Sequence, residues 1–349
     1  MGIKFIIFLG VLSLFYSCSS KKEQVESQVE ERVLSAESLS INKDFLAKPE
    51  KIYCYDSLLF VWDSHNGQLC SLFNYLTGQY YGRFATLGNG PSEFALGTIG
   101  YPNQGKFYLS NYITGHIAQY DIQALSNDIN HKPPTLFRHV FSDKAFLSSI
   151  IPIHDSLFLG AGVYDLKDQY LLFNKRNQIV DSNIPIYNKY DQSERAYKLL
   201  ANQGFLTKAP TSNRFAFALK YSQNVDFFEI IDNKIQVINL SRKRNPNFRF
   251  LQNGNSRMIY PTENSTLGFL DITSGDQNVY VLYSEKNIKD VKSSNIVHVY
   301  DWKGSLIKQF RLSEEVYSIS VNKHENILLA SFIDKEGDWN ILSYKLDNK

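Results

Sequence analysis

The sequence predicts an all-β fold, a six-bladed β-propeller whose ring is closed by an N-terminal strand that completes the last blade. Three observations predict it. An apolar or aromatic residue followed by Asn or Asp recurs at six strand ends, Phe73-Asn74, Tyr120-Asp121, Phe173-Asn174, Ile231-Asp232, Tyr300-Asp301 and Leu346-Asp347, at intervals of 47, 53, 58, 69 and 46 residues. A repeat of about 50 residues built from short strands marks a propeller, each unit being one four-stranded blade. The composition agrees: 43% hydrophobic with 22 Tyr and 24 Phe among 349 residues suits half-buried pleated surfaces better than helices. The third observation is that the sixth unit reaches Asp347 with only Asn348 and Lys349 after it, so its fourth strand must come from elsewhere.

Residues 1–17 read as a signal peptide: Lys4 supplies a small positive region, residues 5–16 an apolar core, and Ser17 a small residue before a cut. The segment is too short for a spanning helix. Phe15-Tyr16-Ser17-Cys18 looks like a bacterial lipobox, which implies a lipid on Cys18 and Cys18 as the mature N-terminus. Residues 18–31 then form a tether, rich in Lys, Glu, Ser and Gln; stretched out, its thirteen residues after Cys18 span up to about 45 Å.

The propeller is expected over residues 32–349. The segment 32–41 carries Val33, Leu39 and Ile41 in step and belongs to no unit of its own, so it is assigned as the outer strand of the sixth blade. The first unit reads as strands at 51–55, 58–62, 68–76 and 79–87, with turns at Tyr55-Asp56-Ser57, at 63–67 and at Thr77-Gly78. Second strands follow at 106–110, 157–160, 215–219, 279–282 and 327–330. The clearest outer hairpin is 298–307, where Gly304 suits the positive φ of its loop. Insertions lengthen the fourth and fifth units around 241–264 and 285–294. Cys54 and Cys70 fall on strands that flank a common middle one, about 9.6 Å apart at ordinary strand spacing. That exceeds disulfide reach, so two unpaired, buried thiols are expected.

Leu87-Gly88-Asn89-Gly90-Pro91-Ser92-Glu93-Phe94 follows the first outer strand. Together with the repeat and the lipobox it resembles the Gly-x-Gly-Pro-Gly-Glu-Phe/Tyr signature of the TolB-like six-bladed propeller lipoproteins of Bacteroidetes, with Ser92 in place of a Gly. The resemblance implies a bacterial cell-envelope protein and carries over no catalytic residue. Gly88 and Gly90 permit a sharp exit from the strand, Pro91 can start a helical turn, and Glu93 can accept from freed backbone N–H groups. A connector between blades explains the motif without a ligand.

The balance of 37 basic and 35 acidic residues, net +2, removes the electrostatic case for a nucleic-acid partner. No His-Glu-x-x-His, Gly-x-Ser-x-Gly, Walker loop, EF-hand loop or Cys-x-x-Cys occurs. The seven histidines share no ligand spacing, and His65, His116 and His324 fall in predicted turns. Neither a metal nor a cofactor is therefore expected. Second strands end in an aromatic: Trp62, Tyr112, Tyr164, Tyr221, Tyr283 and Phe332. Equivalent strand ends share one propeller face, so these side chains should ring one mouth of the channel. Polar loops beside them carry His116, Asp165 and Trp339, and rings next to hydrogen-bonding groups suit sugars or peptides. The plainer reading is that the aromatics cap the blades against one another. Arg242, Lys243, Arg244 and Arg249 form a local basic run, read as a solvated loop.

The function expected is a lipid-anchored, monomeric binding or scaffold propeller of the envelope, in the outer membrane. It would recognise a glycan, a peptide or a partner protein and touch the membrane only through its lipid. The alternative is a propeller hydrolase or lyase with a metal or carboxylate site in the channel, for which Asp165, His116 and Glu285 are the candidates.

Overall fold

The computed structural model describes residues 29–346, apart from short segments at 91–92, 96–97, 112–113, 132–134, 139–143, 187–194, 242–247, 254–255, 263–264 and 285. The expectations for Cys18, the tether up to residue 28, Pro91, Ser92, Tyr112, Arg242, Lys243, Arg244, Glu285 and Asp347 lie outside the described residues.

Six antiparallel sheets form the ring. The first blade runs Lys51–Tyr55, Leu58–His65, Gln68–Asn74 and Tyr80–Thr86. The inner strands of the next five blades are Thr98–Asn103, Ala145–His154, Gly204–Lys208, Phe269–Ser274 and Ser318–Val321. Each inner strand neighbours the next around the axis, and the sixth returns to the first. A separate hairpin, Phe248–Asn253 with Ser256–Pro261, occupies the insertion after the fourth blade.

The repeated Asn or Asp has a physical cause. Asn74 accepts from the N–H groups of Leu76 and Thr77, Asn174 from those of Arg176 and Gln178, and Asp301 from those of Lys303 and Ser305. Asp121 caps the helix Ile122–Asn127 through Ala124 N–H. Each side chain replaces the backbone acceptor that a third strand loses as it turns outward. Gly304 has φ +86° in the hairpin loop, as its position required.

Period-two strands bury one face against each neighbour. In the fourth blade, Phe215, Phe217 and Leu219 pack toward the third blade while Ala216 and Ala218 pack toward the fifth. In the fifth, Val279 and Val281 meet the fourth blade, and Tyr280 and Leu282 the sixth. The core is thus divided into layers between blades. Aromatic stacking tightens them: Phe60 of the first blade lies 4.3 Å from Phe107 of the second, nearly parallel to it.

The ring closes through the N-terminal segment, in a more divided way than one strand over 32–41. Ala36–Ser38 pairs antiparallel with Trp339–Lys345 and completes the sixth blade. Glu30–Leu34 instead pairs parallel with Leu306–Val316, adding a fifth strand to the fifth blade. The crossing between blades resets the inward face, so Val33 is 67% exposed while Leu34 is buried. Leu39 and Ile41 pack against the layer between the sixth and first blades. The turn expected at 63–67 is shorter, since the strand runs through His65 and turns at Asn66-Gly67. Burial of Asp63 under Arg83 holds the extension in place. Cys54 and Cys70 are free thiols, Cys70 buried and Cys54 partly so, and burial pushes Cys54 up to about 12.

Candidate functional site

A channel of about 370 Å³ runs along the inner strands, with walls from all six blades. An inner strand has no neighbour on its axial edge, so its outward N–H groups need other acceptors. Polar side chains of neighbouring blades supply them. Ser318 and Ser320 hydroxyls accept from Ile52 and Cys54 N–H at 3.1 and 2.8 Å, and Thr273 Oγ1 accepts from Val321 N–H at 3.1 Å. Thr207 and Ser274 hydroxyls meet at 2.9 Å.

Asp271 anchors this belt. Its Oδ2 accepts from Ser318 Oγ at 2.5 Å and Ile319 N–H at 2.9 Å, and its Oδ1 from Ile272 N–H at 2.7 Å and from Lys51 Nζ. Lys51 also donates to Ile272 O and lies over the Tyr53 ring at 5.2 Å. At the other end of the inner strands, Tyr101 of the second blade brackets Lys208 of the fourth. Its hydroxyl accepts from Lys208 N–H at 3.1 Å and donates to Lys208 O at 3.3 Å. Burial pushes the Tyr101 phenol up to about 12 and the Lys208 ammonium down from its ordinary value.

The sequence-selected rim residues are distributed around this channel rather than gathered in one cluster. Trp62 lies on the channel wall, paired across the sheet with Lys51. Tyr164 packs against the layer between the second and third blades. Tyr221 meets Phe248 of the extra hairpin edge to face at 5.3 Å, with Lys220 Nζ 5.4 Å from its ring. Tyr283 is buried and stacks on His298 at 4.1 Å. Trp339 meets Tyr317 at 4.8 Å. Asp165 is an exposed turn residue at φ +49°, and His116 begins the third strand of the second blade. Neither lines the channel. Among the described residues, no three His, Cys, Asp or Glu groups stand close enough together to hold a metal.

In the connector after the first blade, Glu93 accepts from Gly90 N–H at 2.8 Å and Gly88 N–H donates to Phe94 O at 3.1 Å. A Cβ at Gly88 would meet the Glu93 side chain, so this glycine answers to space.

The channel residues Lys51, Asp271, Thr273, Ser320 and Lys208 escaped the sequence reading, which looked to strand ends. A signal was present: Asp271-Ile-Thr273 and Ser318-Ile-Ser320 alternate polar with apolar in strands that a propeller places innermost.

A family model described as TolB-like 6-blade propeller-like matches residues 28–324. No curated protein sequence matches the chain significantly. Among solved structures, a protein of Bacteroides fragilis described as a candidate exported protein superposes with a TM-score of 0.55 at 12% identity, over 90% of this chain and 95% of that one. Raptor of Chaetomium thermophilum gives 0.49 at 14% identity, over 90% of this chain and 29% of that one. A luciferin-regenerating enzyme gives 0.49 at 11% identity, over 90% and 96%. At these identities the likeness is one of fold alone. No helix among the described residues is long and apolar enough to cross a membrane.

Proposed function

Because the chain belongs to the TolB-like six-bladed propeller family, we propose that it is a binding or scaffold protein of the cell envelope. In this reading lipid on Cys18 anchors it in the outer membrane. One propeller mouth holds a glycan, a peptide or a partner protein, without catalysis. The observation that carries the reading is the state of the channel wall. Asp271, its buried carboxylate, already accepts from four donors and is committed to holding strands, which leaves it no capacity to take a substrate proton. Trp62, Tyr53 and Tyr101 meanwhile present ring surface beside hydroxyl and amide groups, the composition that suits sugar rings and peptide side chains. The segment Phe15-Tyr16-Ser17-Cys18 supports the anchor.

Glycan and peptide arrays probed with the purified protein test the binding role. Trp62→Ala is expected to weaken capture by about tenfold or more, the usual scale for losing an aromatic anchor, with Tyr164→Ala and Tyr221→Ala weakening it less. Variants that melt earlier yet bind undiminished would assign the rim to packing alone. For the anchor, Cys18→Ala is expected to release the protein from the membrane fraction; retention there would count against the lipid.

A further inference from the structure

The two ends of the channel differ in charge bookkeeping. At the Trp62 end, Lys51 is neutralised by Asp271, and Glu50 pairs with Lys48 at 3.0 Å. Interblade bonds fix the levels along the axis: Lys51, Asp271 and Ser318 share one, and Ser274, Thr207 and Lys208 share another. Ser274 follows Asp271 by three residues, so the second level lies about 10 Å along the axis from the first. There Lys208 is 4% exposed and lines the channel. Its ammonium donates to the Ala209 carbonyl at 3.2 Å and pairs with no carboxylate among the described residues. Asp276, the acidic group that acts on it from a distance, already accepts from the N–H and hydroxyl of Thr211 at 2.9 and 2.6 Å. The wall at this end adds Gln104, Thr211, the exposed Lys323 and one exposed carboxylate, Asp56.

A buried ammonium with no carboxylate in contact is costly unless something brings an opposite charge directly to it. We propose that this mouth, opposite the Trp62 rim, binds the anionic oxygen group of a small molecule, a carboxylate or a phosphate, with Lys208 as its charge partner. Lys323 adds long-range attraction at the entrance, and the Thr211 and Ser274 hydroxyls and the Gln104 amide stand within the same wall. The site rests on different residues from the rim, so either can fail without the other.

The test is calorimetric titration of the purified full-length chain with inorganic phosphate and, separately, with acetate. Saturable binding of at least one is expected. Lys208→Met should weaken it by about tenfold or more, Lys323→Met should weaken it less, and Trp62→Ala should leave it unchanged. Binding of phosphate alone assigns a phosphoryl ligand, and binding of acetate alone a carboxylate. As a check that needs no variant, NMR of isotope-labelled lysine ε-methylenes in the wild-type protein should show the Lys208 titration moving to higher pH when the anion is bound. Absence of saturable binding for both anions, equal binding by Lys208→Met, or a Lys208 titration that the bound anion does not move would overturn the proposal.

Discussion

Removing the Asp271 carboxylate would strand Lys51 Nζ, Ser318 Oγ and the Ile272 and Ile319 N–H groups at once. Breaking a buried charged pair by deleting one partner typically costs about 3–5 kcal/mol. Asp271→Ala should therefore lower stability by that order in denaturant unfolding, while Asp271→Asn, which keeps some acceptor capacity, should cost less. Equal, small losses would mean that water replaces the carboxylate. Lys208 makes the opposite case. Its folded pKa is depressed below the ordinary 10.5 by burial, so between those two values the unfolded chain binds more protons and stability rises with pH. Below the folded pKa both states are charged and the penalty is constant. Lys208→Met should thus stabilise the protein at neutral pH, an advantage that shrinks as pH climbs toward 10.5. A gap that stays constant up to that pH would show an ordinary, unshifted lysine.

Elements were legible in proportion to how local their causes are. The third strands announced themselves because each ends in a side chain that caps its own turn, as Asn74 and Asp301 do within four residues. Gly304 was readable because its φ follows from the loop beside it. The N-terminal segment was only half readable: the missing strand of the sixth blade called for a partner, but nothing local says where Glu30–Leu34 should leave one sheet for another. That choice depends on distant pairings, Glu31 with Arg311 at 2.8 Å and Glu37 with Lys345 at 2.6 Å among them. Deleting residues 29–41 bares the edges of two blades and should abolish a single cooperative melting transition; an unchanged melt would refute the closure. Gly78→Ala is the point-mutation counterpart. Gly78 has φ +76° and a Cβ there would meet the Ser40 backbone, so a loss of about 1 kcal/mol or more is expected in chemical denaturation.

At the scale of the molecule, the ring was predictable because period and composition are global properties of the sequence, whereas the channel was not. Which hydroxyl meets which N–H depends on adjacent blades being brought into register, and Tyr101 with Lys208 even joins blades that are not neighbours in the ring. Rim aromatics were found by position, yet position alone could not distinguish Trp62 on the channel wall from Tyr283 stacked on His298. Strand ends fix a face; burial decides the role.

The seam between the first and last parts of the chain has a mechanical side. Glu30–Leu34 runs parallel to Leu306–Val316, so tension arriving from the preceding residues along that strand would act on all five of its pairings in shear instead of unzipping them one by one. The Ala36–Ser38 pairing lies behind it as a second catch. A propeller tugged from its N-terminal side would resist at the point where its circle is joined.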